Sequence, residues 1–128
     1  MESARRMMDA DTASKALGIE LVELAQGRAV CRMAVTAQMI NGHALCHGGY
    51  VFLLADTAFA CACNTHGPVT VAAGAEIIFV APAHEGDVLV AEAVERTRYG
   101  RSGVCDITVR KSDGQVVAEF RGRSREIR

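Results

Sequence analysis

A single carboxylate, Asp56, lies within HGGYVFLLADTAFA (residues 47–60), a run made mostly of apolar and small side chains. Burying an ionised carboxylate is costly unless hydrogen bonds or an opposite charge hold it. At helical spacings of three and four its neighbours are Phe52, Leu53, Phe59 and Ala60, and none of them can pair with it. A carboxylate so placed reads as a general base or nucleophile kept beside a cleft. The alternative is an Asp paired with an arginine or a backbone amide elsewhere in the fold.

Gly48 and Gly49 stand where a loop would enter that helix. First-turn amides have no partners inside a helix, and the helix dipole makes that end slightly positive. Without a side chain in the way, a substrate oxygen can come close to those amides. These are the requirements of an oxyanion hole, although a Gly-Gly pair also serves simple tight turns. Eight residues separate Gly48 from Asp56, about 12 Å along a helix axis. One reacting carbonyl cannot touch both. If both serve one reaction, they come from two subunits related by a two-fold axis.

Other candidates surround this pair. Asn41 can orient a water or a carbonyl, or simply form the Asn-Gly turn its sequence suggests. His47 can act as a base or tie the loop down. Cys46 is adjacent to His47, and neighbouring residues rarely aim at one another, so a thiolate nucleophile is disfavoured. Arg96, Arg98 and Arg101 bracket a turn at Tyr99-Gly100, and Arg121, Arg123 and Arg125 alternate along the last strand. Alternation puts the second set on one sheet face, either as a solvated surface or as an anion site.

The elements that must carry these residues follow from pattern. A short helix is expected over 11–17, with Asp11 as its cap and Gly18 as its stop. Strands are expected over 19–24 and 28–36, joined at Ala25-Gln26-Gly27. Residues 41–49 form a loop, and the Ala- and Leu-rich, Pro-free stretch 50–64 forms a long helix closed by Gly67-Pro68. Four more strands follow at 69–80, 87–98, 103–111 and 116–127, with Asp113-Gly114 the clearest hairpin turn. A helix apolar nearly all round must be wrapped, and one antiparallel sheet curling about it is the simplest way. Such a half-open arrangement leaves apolar surface for self-association.

The 128 residues suit one domain, and half of them are hydrophobic, enough to fill its core. A net charge of −1 argues against a nucleic-acid binder. No apolar run is long enough to span a membrane, and the N-terminus lacks the apolar segment of a signal peptide, so the cytoplasm is expected. The cysteines at 31, 46, 61, 63 and 105 are odd in number and scattered, as buried small hydrophobes are. His43, Cys46 and His47 lack a second ligand pair at zinc-site spacing, so no metal is expected.

NGHALCHGGYVFLLADTAFACACN resembles the central segment of hotdog-fold acyl-CoA thioesterases, above all those of phenylacetate degradation. The likeness extends to ALGIELVEL, MAVTAQMINGH and the closing FRGRSR. It implies an α+β hotdog domain over residues 1–128, a homodimer with shared active sites and a homotetramer beyond it. By position, Asp56 matches the catalytic carboxylate and Gly48 the amide that polarises the thioester carbonyl. Asn41 matches the polar residue that holds the carbonyl or water, and His47 a supporting loop histidine. Gly49, Arg98, Gly100, Arg101 and Ser102 are the candidate substrate contacts, with the arginines near the Tyr99-Gly100 turn the candidates for CoA phosphates. The substrate implied is phenylacetyl-CoA or a ring-hydroxylated relative, with no cofactor beyond the CoA it carries. An aliphatic acyl-CoA thioesterase and a non-catalytic acyl-CoA-binding module are the other readings. The strand after the helix departs from the family pattern, since Val71 to Ala75 carries no hydroxyl and Ala81 stands where Arg commonly precedes Pro82.

Overall fold

The structure, a computed structural model, describes residues 1–127. Two short helices, α1 (Glu2–Ala10) and α2 (Thr12–Ala16), lead into strands β1 (Glu20–Ala25) and β2 (Arg28–Ala34). A single 3-10 turn at Ala37–Met39 and a loop then deliver the long helix α3 (Gly48–Cys63). Strands β3 (Thr70–Phe79), β4 (Val88–Tyr99), β5 (Ser102–Lys111) and β6 (Val116–Glu126) complete the chain. They form one antiparallel sheet in the order β1-β2-β4-β5-β6-β3, curled around α3. This is the expected α+β hotdog architecture.

The sheet wraps the helix because its strands alternate. Leu89, Ala91 and Ala93 of β4 and Cys105, Ile107 and Val109 of β5 are all buried, while the residues between them face outward. They meet Leu54, Ala55, Ala58, Phe59 and Ala62 of α3 in one core. Phe59 is one of the two phenylalanines in it, and burying a group of that size contributes roughly 1.5–3 kcal/mol. Its ring needs the space above β6, where a Cβ on Gly122 would meet it at 2.6 Å.

Two expectations need correction. The helix ends at Cys63, within one residue of the expected 64, but the Gly67-Pro68 pair is not what ends it. Asn64 stops it: its Nδ2 donates to the Ala60 carbonyl at 2.8 Å and to the Thr70 carbonyl at 2.9 Å, and its Oδ1 accepts from the Thr70 amide at 2.9 Å. That side chain caps α3 and starts β3 together. Helix α1 was not expected at all; Ala4 and Met8, four residues apart, bury its one apolar face in the protein.

The two edges of the sheet differ. β1 is short, whereas β3 is ten residues long and exposes Val71, Ile78 and Phe79, with Val80 just beyond it. A long apolar edge is a template for pairing with another chain. All five cysteines are buried and free. No helix among the described residues is long and apolar enough to cross a membrane.

Candidate active site

The loop before α3 is tightly held. The Asn41 Oδ1 accepts from the amides of His43 (2.9 Å) and Leu45 (3.2 Å), and the Asn41 amide donates to the Leu45 carbonyl at 2.7 Å. Asn41 is therefore a turn residue, but its Nδ2 has no acceptor among the described residues and remains available as a donor. The turn forces Ala44 into the left-handed region at φ 61°, a conformation costing a non-glycine residue about 1–2 kcal/mol. Outside the turn, the Cys46 amide donates to the Ala83 carbonyl (2.8 Å) and the His47 amide to the Met39 carbonyl (2.7 Å).

His47 caps α3. Its Nδ1 accepts from the Gly49 amide at 3.0 Å, which places the ring proton of the neutral imidazole on Nε2. The Tyr50 amide donates to the His47 carbonyl at 3.0 Å. The Gly48 amide alone is left with no acceptor among the described residues. Gly48 also lies against Phe79, since a Cβ there would meet the ring at 2.9 Å. Beside it opens a largely apolar cleft of about 420 Å³ that includes Leu45, Val51, Phe79, Pro82 and Val117.

Asp56 occupies the least buried stripe of α3, in line with Gly49, Phe52, Leu53 and Ala60. No hydrogen bond or ion pair reaches its carboxylate among the described residues. Burial raises its pKa above the ordinary carboxylate value, and the negative charge of Asp11 raises it further. The pairing alternative thus finds no partner among the described residues of one chain.

The cysteines offer no nucleophile. Cys46 is raised by burial and then by Asp87, and Cys63 and Cys105 are pushed up to about 12, chiefly by burial. Cys61 is raised by its hydrogen bond with Cys31 and by burial. Thiols held protonated this way are inert.

The arginine turn lies elsewhere. Ser102 pairs with Arg125 at the far end of β6 from Val117, which lines the cleft. Eight strand residues span roughly 26 Å. In one chain, Arg98, Gly100, Arg101 and Ser102 are therefore remote from Gly48. Arg98 binds Glu126 at 2.7 Å. On the outer sheet face Arg121 and Arg96 both hold Asp106, at 2.7 Å and 3.1 Å, and Arg121 first among them keeps that carboxyl below its ordinary value. The guanidinium groups of Arg101, Arg123 and Arg125 have no hydrogen-bond or ion-pair partner among the described residues.

A family model described as the thioesterase superfamily matches residues 43–118, which span most of the loop, α3, β3, β4, β5 and the start of β6. The chain is 46% identical over 126 residues to the acyl-coenzyme A thioesterase PaaI of Escherichia coli K12, covering 98% of this chain and 90% of that one. The solved structure of the E. coli PaaI protein superposes with a TM-score of 0.97, covering 99% of this chain and 92% of that one. A protein from Thermus thermophilus follows at 36% identity and a TM-score of 0.88, covering 91% of this chain and 98% of that one. The chain belongs to the thioesterase superfamily, a hotdog-fold enzyme of thioester hydrolysis.

Proposed function

We propose that the chain hydrolyses acyl-CoA, with phenylacetyl-CoA or a ring-hydroxylated aryl-acyl-CoA as its substrate, at sites shared between two copies. The observation that carries this reading is the free Gly48 amide, beside an apolar cleft and on the same helix as the unpartnered Asp56. The relative in E. coli is named an acyl-coenzyme A thioesterase, and its structure is described as coming from the phenylacetic acid degradation operon. Both descriptions support the substrate class.

In the reaction, the thioester carbonyl oxygen accepts from the Gly48 amide of one subunit, with the Asn41 Nδ2 of that subunit donating to the carbonyl or to the attacking water. The partner's carboxylate at position 56 removes a proton from water as its oxygen adds to the carbonyl carbon. The tetrahedral oxyanion collapses, the carbon–sulfur bond breaks, and the departing CoA sulfur takes the proton back. Direct attack by the carboxylate would instead give a mixed anhydride. A single turnover in ¹⁸O-labelled water separates the two, because only the anhydride route, with water cleaving at the Asp56 carbonyl, leaves label in the enzyme.

A two-fold axis at the β3 edge would lay the Val71 end of one strand beside the Phe79 end of the other. Exposed Val71, Ile78, Phe79 and Val80 would then be covered, and the partner's Arg98–Ser102 turn would approach Gly48. In that assembly Gly49, Arg98, Gly100, Arg101 and Ser102 contact the CoA portion, with Arg101 offering its free guanidinium to a phosphate. The working form is a homotetramer of two such dimers in the cytoplasm, using no metal or redox cofactor.

A panel of acyl-CoA esters assayed for thiol release tests this reading. Aryl-acetyl esters should turn over fastest. Faster release from short or medium aliphatic esters would move the chain to an aliphatic thioesterase, and binding without release would make it a non-catalytic module.

A further inference from the structure

Asp11 lies far from Asp56 in sequence, but α2 packs it onto the turn of α3 that carries Asp56. It caps α2: its Oδ1 accepts from the Ser14 amide at 2.9 Å and its Oδ2 from the Ser14 hydroxyl at 2.7 Å. With its proton committed to Asp11, the buried Ser14 oxygen accepts from the Thr57 hydroxyl at 3.0 Å. Thr57 is the residue after Asp56 on α3. A continuous chain of hydrogen bonds thus fixes one carboxylate over the helix turn that carries the other.

Among the described residues no cation pairs with either carboxylate: Arg5 and Arg6 of α1 are exposed, and Arg6 lies 4.0 Å from Glu2. Lys15, the basic residue of α2, donates to the Asp9 backbone carbonyl instead. Helix α1 turns Ala4 and Met8 inward, and β1 contributes Leu21 and Leu24. β3 and β6 turn Ile77 and Phe120 toward the helix. The titratable groups remaining inside include the thiols of Cys31, Cys46, Cys61, Cys63 and Cys105, and Glu95, which is bound to His66 at 2.7 Å near the C-terminal end of α3.

We propose that Asp11, anchored through Ser14 to Thr57, is a positioning residue that sets the charge state of Asp56. Its like charge makes the Asp56 carboxylate a stronger base than burial alone would. The N-terminal segment is then part of the active site without touching substrate. This rests on the catalytic reading of Asp56, but the coupling can be measured without it.

The test is ¹³C NMR of the full-length protein labelled at its aspartate carboxyl carbons, with the Asp56 signal assigned by its loss in Asp56→Asn. Asp11→Asn keeps a cap acceptor and removes the charge; Asp11→Ser, also a good cap, serves if Asn folds poorly. The Asp56 titration midpoint should move to lower pH in both, and stay in place in Asp9→Asn, which removes an exposed charge two residues away. An unmoved midpoint in folded Asp11 variants overturns the proposal, because capping alone would change only the melting temperature. The pH–rate profile reads the other half. Well below the wild-type midpoint, the rate relative to plateau should rise about two-fold or more in Asp11→Asn. A shifted carboxyl with an unshifted rate profile supports the coupling and rejects Asp56 as the reacting group.

Discussion

The Gly49 amide donates to His47 Nδ1 at 3.0 Å, and this one bond divides the amides at the start of α3 between structure and chemistry. Gly49 is used for the cap, and the Gly48 amide is left without an acceptor among the described residues, as the proposed oxyanion role requires. His47→Ala should cost about 1 kcal/mol of stability through the lost cap. It should also lower turnover, because the loop that presents Gly48 loosens. His47→Asn restores a capping acceptor and should recover both stability and most of the activity. Recovery of stability with activity still absent would show that the imidazole takes part in the reaction itself.

Gly48 tests the close approach. A Cβ would meet the Phe79 ring at 2.9 Å, so Gly48→Ala must displace that ring toward the cleft. We expect turnover to fall by about 10²-fold, the scale of losing one oxyanion donor. Replacing Phe79 with Leu in the same chain gives the methyl room and should return part of the rate. If Gly48→Ala alone hydrolyses thioesters like wild type, the oxyanion assignment is wrong.

Much of this was readable in the sequence because it is periodic or local. Strands β4, β5 and β6 alternate along most of their length, and the long helix is apolar and free of proline, so these stand out. The stop of α3 was placed to within one residue, but its cause was not Gly67-Pro68: Asn64 acts through Thr70 on the next strand, a contact no local rule anticipates. α1 was missed although Ala4 and Met8 held its signal, since two small apolar positions among charges make a weak pattern. Asp56 stood out by residue type alone. Its neighbour Asp11 did not, because that proximity exists only after α2 has packed on α3. Alternation correctly put Arg121 on an outer face, but its partner Asp106 sits on the adjacent strand and could not be named. Ala44 at φ 61° gave no signal, as alanine has no preference for that region.

Asp56→Asn should lower turnover by at least ~10²-fold, the usual scale for a positioned base, with a much smaller change in substrate binding. Its effect on stability should run the other way. The folded pKa lies above the unfolded carboxylate value, raised first by burial and then by Asp11. The group's stabilising contribution is therefore complete below the unfolded pKa and is lost as pH rises through the folded one. At neutral pH the ionised side chain weakens the fold, and Asn relieves it. Thermal melts should give the variant a melting temperature equal to or above wild type at pH 7, with the advantage shrinking toward acid. A clear drop at pH 7 would mean that Asp56 has a structural partner.

The spacing along α3 leads to the most demanding test. Gly48 and Asp56 lie about 12 Å apart on a continuous helix, so a shared reaction requires two chains. Asn41→Ala and Asp56→Ala are prepared separately, each nearly inactive. They are then unfolded, mixed in equal amounts and refolded. Random pairing makes about half the dimers mixed, and every mixed dimer regains one intact site of its two. Activity should return to about a quarter of wild type if the two sites act independently. Were all site residues drawn from one chain, each site in a mixed dimer would still carry a lesion and nothing would be regained. A mixture that stays inactive, after native mass spectrometry has verified chain exchange, rules out the shared site.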